Sequence, residues 1–426
     1  MNEARQRVWL AVCLLFEALV FAAAAAVARS GGKPSLVVFG IAASFVPYGS
    51  MLVFSRALTG IRAPALWAAA ITSALGAIWL FAPPVFSDDL YRYVWEGRLW
   101  LEGFNPYALA PAEPSLMPLR GDLWASINNK ELASIYPPLS QLLFVAAAWL
   151  GGGVVTVKLL ALMGLGLTVG WIARVTGDFR VALALGSNPL LSAESALNGH
   201  FDVLVGAAFF GVAWELSRHR FGRAGVAVCT AVGLKVVGLV AVPLLWRRPR
   251  VLALAALGSA LLLAPLAWSR ALADRSSGPG EFARRWQGNE SLFAVADWLS
   301  HRLFSEDAAG PAARALVVTA LLAVVLLLLQ RHAPPVRATR ILVWSVLLLS
   351  PQVHPWYLAW LLPLELAARG RAALIWSAAA LCAYAPLDGW VENGVWDMPL
   401  WLQAVEYAIV GVALLFDFRK NSSHFT

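Results

Sequence analysis

Charge is what this sequence has least of. Asp, Glu, Lys and Arg make up 14% of its 426 residues, against 60% hydrophobic. Soluble domains run near a quarter charged. No water-soluble core hides that much apolar surface, so a soluble enzyme or binding module is excluded and lipid is the solvent. Cysteine is nearly as sparse. Cys13, Cys229 and Cys382 are scattered through apolar runs without metal-ligand or disulfide spacing, and they read as small buried hydrophobes. There is no phosphate-cradling glycine loop and no soluble nucleotide-binding stretch. The net charge of +8 is no nucleic-acid signal, because the basic residues sit between apolar runs as membrane-protein loops do.

What is present is a series of long apolar runs. Val8 to Ala28 follows Arg5 and Arg7. It is too long for a signal-peptide core and reads as a retained first span with its N-terminus in the cytoplasm. Apolar length and basic loops predict an all-α, polytopic membrane protein. It would have about twelve crossings and a half-membrane hairpin, with amphipathic juxtamembrane helices in outer loops. The chain reads as a single domain, 1–426, with outer loops near 83–136 and 269–311, and basic loops at Arg56/Arg62 and Arg419/Lys420 inside. Two segments depart from simple crossing. Residues 137–150 are too short to span and are expected to be juxtamembrane or re-entrant, which keeps the basic loops 174–180 and 217–223 inside. Residues 224–246 are basic at both flanks, which predicts two half-helices meeting near Gly233 and Lys235. Single spans are expected at 181–197, 201–217, 340–353, 355–368 and 371–387, among others.

The chemistry-bearing residues gather in the outer loops. Ser87 to Leu101 has helical periodicity, with Asp89, Arg92, Tyr93 and Glu96 on one face and Ser87 or Asp88 as the cap. This predicts an amphipathic helix on the membrane surface, carrying Asp88–Arg92 and Arg92–Glu96 ion pairs. A carboxylate just above the bilayer suits a general base that takes a hydroxyl proton. A turn follows at Gly103–Tyr107, containing Asn105 and Tyr107, and the loop ends at Tyr136-Pro137-Pro138.

Further along, Asn198-Gly199-His200-Phe201-Asp202 interrupts two apolar runs, with Glu194 one turn earlier. It reads either as a polar turn between spans or as a set of sugar-hydroxyl ligands. Lys235, ionisable within an apolar hairpin, is a candidate for supporting a lipid phosphate or a snorkelling side chain. His354 heads His-Pro-Trp-Tyr, where Trp356 and Tyr357 also fit an interfacial belt. The second outer loop holds Arg284, Arg285, Trp286, Asn289 and Glu290, and guanidinium forks match phosphate oxygens. Asp388 to Asn393 mixes carboxylates with an indole, a weaker sugar-site signal.

In order along the chain stand Asp89 after an early span, Glu96-Gly97-Arg98, Gly103-Phe104-Asn105-Pro106-Tyr107, Tyr136-Pro137-Pro138-Leu139, Asn188-Pro189, Asn198-Gly199-His200-Phe201-Asp202 and His354-Pro355-Trp356-Tyr357. This ordered set covers most of the chain and resembles the polyprenol-phosphate-mannose-dependent mannosyltransferases of glycosyltransferase family 87, within the multi-span C-type class. The resemblance implies a polyprenyl-phosphate sugar donor, a lipid or glycan acceptor, no nucleic acid, and a multi-pass cell-membrane enzyme whose site faces the periplasmic side. It implies Asp89 as catalytic base, with Asp88 the neighbouring alternative. His354, Arg284, Arg285 and Lys235 would meet the donor phosphate. Arg92, Tyr93, Glu96, Asn105, Tyr107 and Tyr136 would bind sugar or acceptor, as would Glu194, His200 and Asp202, and Trp286, Asn289, Glu290, Trp356 and Tyr357. A clear Asp-x-Asp triplet is lacking, so no cofactor is assigned and a divalent metal is left open. The rival expectations are a lipid-linked glycan polymerase or ligase and a secondary transporter; the latter would carry repeats and charges deep in several spans.

Overall fold

The computed structural model describes residues 3–54, 61, 63–268, 281, 284 and 286–422, with the side chains of Glu3, Trp268 and 418–422 left out. Arg56, Arg62 and Arg285 lie outside the described residues, as do most of 269–285 and the side chains of Arg419 and Lys420. The described chain is helical, with one isolated bridge between Gly288 and Gln352. Seven of its helices are long and apolar enough to cross a membrane, among them Pro34–Phe54, Val154–Thr176 and Glu306–Gln330. The chain packs as two compact units, one of residues 1–90, 153–203 and 365–426, the other of 91–152 and 204–364.

Several helices are shorter than the apolar runs that contain them. The apolar stretch at 181–197 is two helices, Phe179–Gly186 and Pro189–Ala196. They part at Asn188, whose side chain accepts the Leu191 amide at 3.2 Å and whose neighbour Pro189 starts the second helix. The stretch at 355–368 is a 3-10 turn, Pro355–Trp360, followed by Leu362–Ala367. Pro138–Trp149 is 12 residues long. That gives roughly 18 Å of rise against a hydrocarbon core of about 30 Å.

In the first unit, Glu3–Arg29 and Pro34–Phe54 pair as a hairpin through small residues. A Cβ on Gly40 would come within 2.7 Å of Ala24 Cβ, the close backbone approach that glycine permits between membrane helices. In the second unit, Phe221–Leu234 stops where the charge pattern predicts. Lys235 is extended, at φ −156° and ψ 135°, and a 3-10 segment, Val236–Leu245, follows. Gly238 lies so close to the Ala231 and Val232 backbone that any Cβ would collide with it.

The expected surface helix exists, as Asp89–Leu101, but most of it is not on a surface. Trp95 and Leu99 pack against Leu116 and Ile127 in a small core closed by the loop that follows. The Arg92–Glu96 pair, 2.8 Å apart, is buried, with side chains 5% and 1% exposed. Its remaining valences hold the loop. Arg92 donates to the carbonyls of Asn128, Asn129 and Leu132. Glu96 accepts from Ser134 at 2.6 Å and Gln141 at 2.5 Å.

Candidate active site

The first unit carries a carboxylate–histidine array built from three separate stretches. Asp89 opens its helix, and its amide donates to Ser87 Oγ at 3.2 Å. Glu194 lies on the short helix Pro189–Ala196. His200 follows the turn at Gly199, which has φ +75°. A side chain at 199 would be strained in that left-handed conformation, and its Cβ would stand 2.5 Å from Leu90 Cδ1. Glycine thus brings His200 down beside Asp89 and Leu90. His200 Nε2 is 3.9 Å from Asp89 Oδ2, and Nδ1 is 2.9 Å from Glu194 Oε2. Glu194 also accepts from Asn198 Nδ2 at 3.3 Å and from the Tyr384 hydroxyl.

Burial separates the roles. The His200 and Glu194 side chains are 1% and 2% exposed, while Asp89 is 22% exposed. Asp89 is thus the partly exposed member of the array, and the other two are buried. His200 presents Nδ1 to Glu194 and Nε2 to Asp89. The segment leading to Asp89 is fixed from two sides. Asn198 Oδ1 accepts the amides of Val85 and Phe86, both at 3.1 Å, and the fully buried Lys158 donates to the Ala82 carbonyl. Phe86 stacks on Tyr384 at 4.4 Å between ring centroids. Asp202, buried, starts the helix Asp202–Ser217.

The second unit carries a cation–aromatic cluster. Lys235 Nζ lies 4.3 Å from the Tyr357 ring centroid and 5.0 Å from that of Trp360. His354 stacks on Trp356 at 4.1 Å and meets Tyr357 edge-on at 5.2 Å. Gln352 Nε2 is 2.7 Å from His354 Nε2. The loop carrying Trp286, Asn289 and Glu290 is tied to this motif through its backbone. Gly288 donates to the Pro351 carbonyl and accepts from Val353, both at 3.0 Å. Burial pushes the Glu290 carboxyl above the usual carboxylate range. Arg284 is paired with Glu281 at 2.5 Å and is 43% exposed.

Other expected ligands are engaged within the fold. Arg92 and Glu96 clamp the loop 128–141. Asn105 Oδ1 accepts the Tyr107 amide at 2.9 Å, and the Tyr107 hydroxyl donates to the Tyr136 carbonyl at 2.8 Å. Burial, reinforced by the charge of Glu96, pushes the Tyr107 phenol up. Tyr93 stacks on Phe144, and Tyr136 meets both rings edge-on. Among the described residues no group of three or more His, Cys, Asp or Glu is placed to hold a metal ion. Tyr384, Asn198, Lys158, Gln352 and Trp360 were not among the predicted site residues. Asn198 lies inside and Gln352 just before polar motifs described above, whereas Tyr384 and Lys158 sit in apolar runs with nothing local to mark them.

Residues 8–248 match the MptA_B family model, described as alpha-(1->6)-mannopyranosyltransferase, N-terminal domain. The chain belongs to this family. The matched stretch includes Asp89, Glu194, His200 and Lys235 and stops short of His354. The chain is 29% identical over 186 residues to alpha-(1->6)-mannopyranosyltransferase A of Corynebacterium glutamicum, covering 38% of this chain and 35% of that protein. It is 26% identical over 355 residues to a protein of Mycolicibacterium smegmatis named as a probable alpha-(1->6)-mannopyranosyltransferase, covering 66% of this chain and 61% of the relative. The chain therefore spans less than two thirds of the length of these MptA_B-type relatives. No solved structure matches it. The expected resemblance to mannosyltransferases is borne out by the family match.

Proposed function

We propose that this chain transfers a mannosyl residue from a polyprenyl-phosphate donor to a hydroxyl of a lipid or glycan acceptor. Asp89 takes the hydroxyl proton, the oxygen forms its bond to the anomeric carbon, and the carbon–oxygen bond to the phosphate breaks. The lipid phosphate leaves with that electron pair. Displacement of this kind inverts configuration, so an alpha-(1->6) product of the sort named for the relatives would come from a beta-linked donor.

The observation that carries the reading is the partly exposed Asp89 backed by the buried His200–Glu194 pair. An accessible carboxylate with an oriented histidine behind it is suited to general-base work. His200 and Glu194 act here as positioning residues for Asp89 rather than as sugar ligands. The Lys235, His354 and Trp356 cluster suits the donor phosphate, since Lys235 offers donors to an anion and the histidine can donate to a leaving oxygen. The site would lie on the extracytoplasmic side of the cell membrane, because the basic loops mark the opposite face.

The test is purified protein with radiolabelled polyprenyl-phosphate mannose and a panel of membrane lipid and oligomannose acceptors. Labelled product bearing a new alpha-linked mannose supports the reading. Absence of transfer to every acceptor, with the donor shown to bind, would return the choice to a ligase or polymerase acting on preformed glycans.

A further inference from the structure

One end of the second unit is lined with arginine. Ser217–Arg223, Trp246–Arg250 and Arg331–Arg340 hold nine arginines and no Asp or Glu. Neither 216–268 nor 316–364 contains an acidic residue. Glu215, at the margin, lies 3.9 Å from Arg220 Nη1. The three stretches are far apart in the chain, yet the fold joins them. Arg248 sits over the Phe221 ring at 4.4 Å, tying the second stretch to the first. Trp246 stacks on His332 at 5.7 Å and 4°, tying it to the third. Eight of these arginines, all but Arg340, are exposed, so burial does not offset their charge.

Their depth is fixed by the spans they terminate. Arg331 directly follows the apolar helix Glu306–Gln330, and Arg247 and Arg248 directly precede Pro249–Ala267. Residues at the last turn of a membrane-crossing helix lie at headgroup level. Basic loops as such serve to orient a chain, which needs no convergence. Here three loops are held together by aromatic contacts despite like-charge repulsion, and guanidinium forks match phosphate oxygens in pairs.

We propose that this arginine-lined end is a binding face for the headgroups of anionic phospholipids. Its ligand chemistry is a phosphodiester or phosphomonoester carried on a lipid. The inference is independent of the transfer reaction, because it concerns residues outside both clusters described above and its assay involves no turnover.

The test is full-length protein reconstituted in phosphatidylcholine vesicles, with spin-labelled phosphatidylglycerol or spin-labelled phosphatidylcholine as probe. Association with the wild type should favour phosphatidylglycerol by roughly tenfold, since each surface arginine adds an appreciable attraction. The preference should shrink as salt is raised. In R247Q/R331Q/R337Q it should fall to about twofold or less. R247K/R331K/R337K should keep most of it, which separates loss of charge from loss of fold. An unchanged preference in the glutamine variant, or equal association of both lipids with the wild type, overturns the proposal. So does displacement of the labelled lipid by inorganic phosphate at constant ionic strength, which would make the ligand a free anion.

Discussion

His200 faces Asp89 with one ring nitrogen and Glu194 with the other, at 3.9 Å and 2.9 Å. The longer distance is the informative one. It exceeds a hydrogen bond, and a small movement on substrate arrival would close the gap. Catalytic hydrogen bonds commonly tighten in this way only in the reacting complex.

Asp89→Asn should lower turnover by at least ~100-fold, the low end for loss of a general base, while donor binding and fold persist. Asp88→Asn should cost far less, because the carboxylate beside His200 belongs to residue 89. Single-turnover assays with equilibrium donor binding check this. A dead Asp88→Asn with an active Asp89→Asn would exchange the two roles.

Glu194→Gln should reduce kcat by about 10–100-fold with little change in acceptor KM, as expected when the partner that orients a histidine is lost. Tyr384→Phe should show the same pattern more weakly, since one of several hydrogen bonds to Glu194 is removed. The split between kcat and KM is the readout. A rise in acceptor KM with kcat intact would make Glu194 a ligand for the sugar.

Lys235→Met should raise the apparent KM for the donor by roughly tenfold, the effect of about 1.4 kcal/mol of lost phosphate attraction. Arg284→Ala should do less, because Glu281 already neutralises that guanidinium at 2.5 Å. Donor titrations of the two variants decide between them, and a larger effect from Arg284 would shift the phosphate contact to that loop.

Arg92→Ala should destabilise the protein by about 3–5 kcal/mol, the penalty for stripping one partner from a buried ion pair. Hydrogen exchange should then rise across 128–134, whose carbonyls Arg92 holds. Protection unchanged in that stretch would mean that the clamp does not order the loop.

The residues that bring the site about were unevenly visible in the sequence. The break at Lys235 was legible, because basic flanks on both sides of an apolar run leave few alternatives. The helix from Asp89 was legible from its period, but its burial was not. Arg92 binds the backbone carbonyls of Asn128, Asn129 and Leu132, and a carbonyl has no residue identity to read. Glu194 and His200 stood out as polar breaks and suggested sugar ligands. Their burial depends partly on Tyr384, 190 positions from Glu194, in a run that resembles any other apolar segment. The division of apolar runs into shorter helices was hidden for a related reason: an apolar run records the solvent, whereas a helix end records where a side chain such as Asn188 captures the backbone.

Lys158 imposes an order on how the chain is built into the bilayer. It is fully buried near the start of Val154–Thr176, with its ammonium on the Ala82 carbonyl. A newly inserted helix carries that charge near its end and can reach the aqueous boundary with it. Docking exchanges that water for a single carbonyl and surrounds the stem with protein. The trade is tolerable only once the turn at Ala82 has formed, because a lone ammonium at that position is expensive. The earlier helix and its outgoing turn must therefore be in place before the later one settles, so the segment leading to Asp89 is framed during biogenesis and not afterwards.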